Sequence, residues 1–338
     1  MLLFSLWATL GWAQSPAVAS RDARDLVEAT SLPIPALPEG FVVVHRGAVT
    51  VAYPRDLEGV VGPTVARVER DVASLSAQFG LLDIPPLEVR LVATPEAMRA
   101  LSPVGAPPPA YASGVAYPGL GLALVSASAP RTWEASEMPR VLRHELSHLL
   151  LGAATGGRPV PRWLAEGLAV HQAGENSFER FLDLAEASAT GSLVSFQDLD
   201  RAFGGHSREV SVAYAESADV VGYLLRLDGP ERLPSLLASV RSGRSFDQAV
   251  EDTWGRPLAR IERGWREDAA SRLTLAPLWA GGGVVWTLGV ALLVAALVKQ
   301  RRRRRELLAR WEREERGRRP PLRLLVFSPG RAGRDTLH

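Results

Sequence analysis

The 338-residue chain contains no cysteine. That excludes a disulfide framework, an iron–sulfur cluster, a thiolate zinc site and a cysteine nucleophile. No internal repeat is visible, so a solenoid or propeller is excluded as well. Nor does the chain carry a uniform excess of one charge. The net of +2 conceals 14 Lys+Arg against 5 Asp+Glu from Lys299 to the end, which leaves 25 basic and 32 acidic residues before it. The basic isoelectric point therefore belongs to a tail and gives no support to a nucleic-acid reading. The length is ample for a sizeable core.

Two apolar segments set the expected topology. Leu2 to Ala13 is an apolar run ending in small residues, too short to span a bilayer, and reads as a signal peptide over 1–13 that lacks the usual basic start. Residues 273–298 carry no charge over 26 positions and are followed at once by Lys299 and Arg301 to Arg305. About 20 apolar residues cross the hydrocarbon core, and a basic cluster stays on the cytoplasmic side. The expectation is a single transmembrane helix, with the preceding residues outside and the tail 299–338 in the cytoplasm, against anionic lipid head groups. No nucleic acid is expected as a partner of that tail, because no binding motif accompanies its arginines.

Between these segments, 14–40 reads as a linker or short pro-region, with Pro33, Pro35 and Pro38 favouring extended chain. The rest, 41–272, is expected to be one extracytoplasmic domain. Phe41 to Tyr53 is valine-rich with a turn at Arg46-Gly47, a hairpin pattern. Val60 to Phe79 has helical spacing, Leu87 to Ala93 alternates like a strand, and Gly114 to Ser126 reads as a glycine-interrupted strand. From about Glu134 to Ser271 the pattern is helical. The fold class is α+β: a small mixed lobe followed by a helical one.

The chemistry concentrates at His144-Glu145-Leu146-Ser147-His148, an H-E-x-x-H in a helix expected to end near Gly152. Histidines four apart share one helix face, so both imidazoles can reach one ion. Glu145 is adjacent but off the ligand face. It can take a proton from a metal-bound water, as hydrolysis needs. Zinc needs a third protein ligand and one open position. Glu166 lies 18 residues after His148 in a second helical pattern that begins after Pro161. One loop and an antiparallel helix would return its carboxylate to the ion.

HELSH followed by PRWLAEGLA resembles the gluzincin branch of the zincin metallopeptidases, particularly its bacterial MA-like family. The similarity covers roughly Phe41 to Arg272. It implies a zincin-like fold in which His144, His148 and Glu166 bind Zn2+ and Glu145 is the base. The segment around Val212 to Ala218 resembles a tyrosine-containing helix start of that family, which implies that Tyr214 donates to the oxyanion. A packed tyrosine is the competing reading. Backbone near Tyr117 to Ala123 would pair with an extended peptide. Two departures matter. The G-x-M-E-N segment of the aminopeptidase members is absent before His144, which disfavours that activity, and the position of an acidic residue four after the third ligand is taken by Val170. The orienting contacts of the ligands thus stay open.

These readings point to a membrane-anchored zinc metallopeptidase, an endopeptidase acting on protein or peptide outside the cytoplasmic membrane. The alternative is a zincin-fold binding or scaffold module of little catalytic power. An intramembrane protease is excluded, because Arg140, Arg143 and Arg158 surround the motif.

Overall fold

The computed structural model describes residues 32–110, 112–128, 138–175 and 178–273, with isolated positions between 289 and 303. The expected signal peptide at 1–13 and most of the segment at 273–298 lie outside the described residues. Among the described residues, no helix is long and apolar enough to cross a membrane. The part of the linker that is described, 32–40, is docked on the domain. Pro33 O accepts from Val104 N at 2.9 Å, and Pro35 O accepts from the Arg90 guanidinium at 2.8 Å.

The N-terminal part is built on a mixed five-stranded sheet. Its strands are β1 (Phe41–Arg46), β2 (Val49–Pro54), β3 (Leu87–Val92), β4 (Gly114–Tyr117) and β5 (Leu122–Ser126), in the order β1-β2-β3-β5-β4. β2, β3 and β5 run parallel, while β1 and β4 lie antiparallel at the two edges. Two helices, α1 (Glu58–Val65) and α2 (Val68–Phe79), occupy the β2–β3 crossover. Val60 to Phe79 is thus interrupted rather than continuous, since Gly59, Gly62 and Pro63 weaken its first part. α3 (Pro95–Ala100) covers the opposite face of the sheet. Alternation along β5 feeds both faces: Ala123 and Val125 join the large core, Leu122 and Leu124 the smaller one.

The stretch from Gly114 to Ser126 is a hairpin, not one strand. Pro118–Leu120 forms a 3₁₀ turn, and Gly121, at φ 61°, reverses the chain. A side chain at Gly121 would also meet Pro86 O at 2.9 Å. Glycine is the residue that supplies that conformation at little cost.

The remaining elements are helical: α4 (Met138–Thr155), α5 (Arg162–Ala173), α6 (Phe178–Thr190), α7 (Phe196–Ala202), α8 (Ser207–Arg226), α9 (Arg232–Arg241), α10 (Phe246–Trp254) and α11 (Leu258–Leu273). α4 runs past the expected stop. Gly152 lies inside it because the helix passes against the hairpin turn, where a Cβ would meet Pro118 at 2.6 Å. The stop is Gly156-Gly157, both at positive φ (63° and 76°).

α5 is held from three sides. Its N-terminal amides at Arg162 and Trp163 donate to Asp200 of α7 at 3.1 and 2.9 Å, so a remote carboxylate supplies the cap that Pro161 lacks. The fully buried Trp163 ring packs on Phe196 at 5.0 Å and Phe246 at 5.9 Å, and Phe196 continues to Trp265 at 5.6 Å. Gly167 lets α8 approach so closely that a Cβ would stand 2.3 Å from Ser217 O. In an ordinary exposed helix, Gly→Ala stabilises by about 1 kcal/mol. Gly167→Ala is expected to do the reverse, lowering the unfolding free energy by about 2 kcal/mol in urea titrations through overpacking. An unchanged or raised midpoint would contradict the close approach.

Candidate metal centre

α4 and α5 bring the sequence-singled residues together. His144, His148 and Glu166 each offer a ligand atom, and these atoms all lie within 4.8 Å of one another. Glu166 Oε2 is 3.6 Å from His144 Nε2 and 3.8 Å from His148 Nε2. The two rings stand edge to face with centroids 4.9 Å apart, as one helical turn dictates. Bonds of about 2.0–2.2 Å to a tetrahedral ion place ligand atoms roughly 3.3–3.6 Å apart, so these separations fit Zn2+ with little adjustment.

The donor chemistry makes the same point. His144 Nε2, His148 Nε2, both Glu166 oxygens and Glu145 Oε1 are buried with no hydrogen-bond partner among the described residues. A buried polar atom left unpaired costs about 1–3 kcal/mol, and more when charged. One ligand atom each from His144, His148 and Glu166 converges on one point, which is what a cation would satisfy. Glu145 itself is 1% exposed and lies against Gly114 of the edge strand, where a Cβ would stand 2.6 Å from its Oε1. The bare glycine at the start of β4 is therefore part of the site.

α4 is locked in register by Arg143. Its Nε donates to Gln172 O at 2.6 Å and its Nη1 to Asp71 of α2 at 2.8 Å. Ser147 Oγ donates to the Gln172 side chain at 2.6 Å, tying the same two helices between the histidines.

Sequence reasoning missed Glu175. Its Oε2 lies 3.5 Å from His144 Nδ1, on the ring edge away from Glu166, and its side chain is almost fully buried. It stands nine residues after Glu166, beyond Gly174, which ends α5 at φ 70°. A helical period does not reach it, because the left-handed cap turns the chain back over the helix end. The G-E pair closing the helix was the available signal. Where Val170 removes an acidic residue four after Glu166, Glu175 places a carboxylate 3.5 Å from His144 Nδ1.

The electrostatics separate the two histidines. Burial by itself depresses His144, but Glu175 foremost, with Glu166 and Glu145, overturns it and lifts the group to about 10. Burial drops His148 to about 4, because the pull of Glu166 does not offset it and His144 and Arg162 add to the fall. Burial raises Glu145 to about 8 against the pull of His144, with Glu166 and Glu175 adding to the rise. Burial likewise disfavours ionised Glu166, yet the two imidazoles and Arg162 outweigh it and hold the carboxyl below its usual range.

Tyr214 sits on α8, buried, with its ring edge-on to Phe203 at 5.0 Å. The Phe203 ring in turn carries the Arg162 guanidinium at 4.7 Å. Glu216 and Asp219 of α8 are both engaged. Glu216 is fully buried and accepts from Val194 N through both oxygens at 3.1 Å, and Asp219 binds the Trp265 indole at 2.8 Å and Arg272 at 2.7 Å. These partners belong to the helical scaffold and not to the candidate ligand histidines.

Residues 69–270, well over half of the chain, match the family model for the Peptidase MA superfamily. The chain belongs to the Peptidase MA superfamily. The match spans α4 and α5 and so contains the whole His-His-Glu cluster. It supports a zincin-like peptidase fold and a metal-dependent, peptidase-like enzyme acting on protein or peptide. No curated protein matches this chain.

A Peptidase MA site of this composition would bind metal in competition with protons. Because His144 is lifted to about 10, at least one proton must leave it below that pH when a cation enters. Zinc affinity is expected to rise with pH, by up to about tenfold per unit between 7 and 9. Glu175→Gln removes the foremost charge lifting His144. It should flatten that slope and weaken binding at pH 9 by about tenfold or more. Competition titrations against a chromogenic chelator read both effects. A slope unchanged by the substitution would remove Glu175 from the site.

Proposed function

We propose that this protein is a membrane-anchored zinc metallopeptidase of the gluzincin type, an endopeptidase acting outside the cytoplasmic membrane. The observation that carries the reading is the convergence of His144, His148 and Glu166 within 4.8 Å, directly beside a buried Glu145. His144 Nε2, His148 Nε2 and a Glu166 oxygen would hold Zn2+. When bound, the ion supplies a Lewis acid that polarises the scissile carbonyl and acidifies water.

The chain's own residues then have distinct tasks. Glu145 takes the proton of the attacking water and returns it to the leaving amine. A carboxyl held near neutrality by burial suits both directions of transfer. Glu175 orients His144, and Gly114 leaves Glu145 the room it occupies. Tyr214 takes the oxyanion role that the family resemblance assigns it, supported by its place on the helix that packs against α5. The uncharged stretch 273–298 and the arginines after it support an anchor with 41–272 outside and the tail in the cytoplasm.

Glu145→Gln is expected to keep stoichiometric zinc while lowering peptide hydrolysis by about a thousandfold, within the range typical of a lost general base. New protein N-termini that accumulate with the wild type and vanish with Glu145→Gln would identify the substrates. Turnover persisting in that variant would refute the mechanism, and absence of both zinc and cleavage would favour a scaffold. For topology, protease added to sealed right-side-out vesicles should digest 41–272 and spare an epitope placed after residue 330. Loss of that epitope would reverse the orientation.

A further inference from the structure

A cleft of about 670 Å³ opens beside the metal cluster. His148 and Arg162 stand on its cluster side, the Pro118–Gly121 turn forms one wall, and the loop from Gly156 to Val160 forms another. The walls are mainly apolar, with Leu87, Leu120, Leu149 and Val160 among them. Its charged lining is of one sign: Arg158 and Arg162, with no carboxylate among the described residues. The whole chain is nearly balanced, 39 basic against 37 acidic residues, so composition alone does not dictate this.

Both guanidinium groups are positioned. Arg162 lies against the Phe203 ring at 4.7 Å with Nε 3.8 Å from Glu166 Oε1, and its side chain is 20% exposed. Arg158 Nε donates to Arg241 O at 3.1 Å. A planar guanidinium matches a carboxylate edge to edge, and holding it in place removes part of the entropy cost of recognition. An ammonium finds no counter-charge in this cleft, and a small inorganic anion would leave the apolar walls uncovered.

We infer that this cleft is a substrate subsite for an apolar segment bearing a carboxylate, gripped by Arg158 and Arg162 beside the scissile bond. The inference rests on the metallopeptidase reading for the identity of its ligand as a peptide. The carboxylate has two possible sources, a chain terminus or an acidic side chain, and the same guanidinium chemistry serves both.

The test uses the full chain carrying Glu145→Gln, loaded with zinc, so that binding is read without turnover. Fluorescein-labelled leucine-rich octapeptides are compared by anisotropy in two matched pairs. One pair ends in a free carboxylate or an amide, and the other is amidated and carries an internal glutamate or glutamine. Binding about tenfold tighter for the carboxylate member is expected in at least one pair, the amount that charge-assisted hydrogen bonds supply. The pair that shows it identifies the source. Adding Arg158→Met, at an exposed position, should cut the preference severalfold, with Arg162 remaining, while the zinc content is unchanged. Equal binding within both pairs, no binding at all, or a preference untouched by Arg158→Met would overturn the inference. Cleavage of the same peptides by the wild type is measured alongside. A carboxylate preference without cleavage would leave the subsite standing and remove the peptidase reading, whereas cleavage without preference would do the opposite.

Discussion

The structure depends on a buried cluster in which Glu166 Oε2 stands 3.6 and 3.8 Å from the Nε2 atoms of His144 and His148, among polar atoms that find no hydrogen-bond partner in the described residues. Several buried polar atoms left unpaired cost an amount comparable to the whole stability of a domain, about 5–15 kcal/mol. A bound ion would return that energy. Apparent binding free energies of zinc at structural sites, about 10–16 kcal/mol, are of the required size. The cluster is thus a stability problem and a chemical resource at once, and the surrounding packing serves to keep its members from relaxing apart.

That packing acts on helices rather than loops. α4 is fixed by Arg143 reaching Asp71 and Gln172, and by close passage of Gly152 over Pro118. α5 is fixed by the Asp200 cap, the Trp163 aromatic stack and the Gly167 approach to α8. Catalytic groups need to be held within about 0.5 Å, and rigid elements achieve this where loops do not. Three glycines recur at these contacts for the same steric reason. Gly114, Gly152 and Gly167 are places where a single methyl group would collide with the site or its supports.

Much of this was legible in the sequence because it is periodic. The i, i+4 histidines announce one helix face, and 18 residues to Glu166 allow the loop and return helix that are seen. The β1–β2 hairpin and the helical character after Met138 follow from alternation and helical spacing. What was not legible is aperiodic. The Pro118–Gly121 turn makes two strands of one valine- and leucine-rich run, and α4 passes through Gly152 because tertiary contact overrides the glycine stop signal. Glu175 arrives through a left-handed cap, which no hydrophobic period reports. Glu216 is likewise buried only through packing, its carboxylate accepting from Val194 N, a contact no period announces.

The opposite behaviour of His144 and His148 shows where the site's character arises. The two share a residue type, a helix face and nearly complete burial, so the motif treats them alike. Yet the proton is held on one and excluded from the other. The difference lies outside the motif. Glu175 faces the far nitrogen of His144, while the Arg162 guanidinium adds to burial in keeping His148 neutral and helps hold Glu166 ionised. A neutral imidazole and an ionised carboxylate are the forms a cation requires. His148 and Glu166 are therefore already in the forms a cation requires, and His144 is the one group of the three whose proton a metal would have to displace. Ligand spacing along a helix makes coordination geometrically possible, and residues that never touch the ion set the conditions under which it occurs.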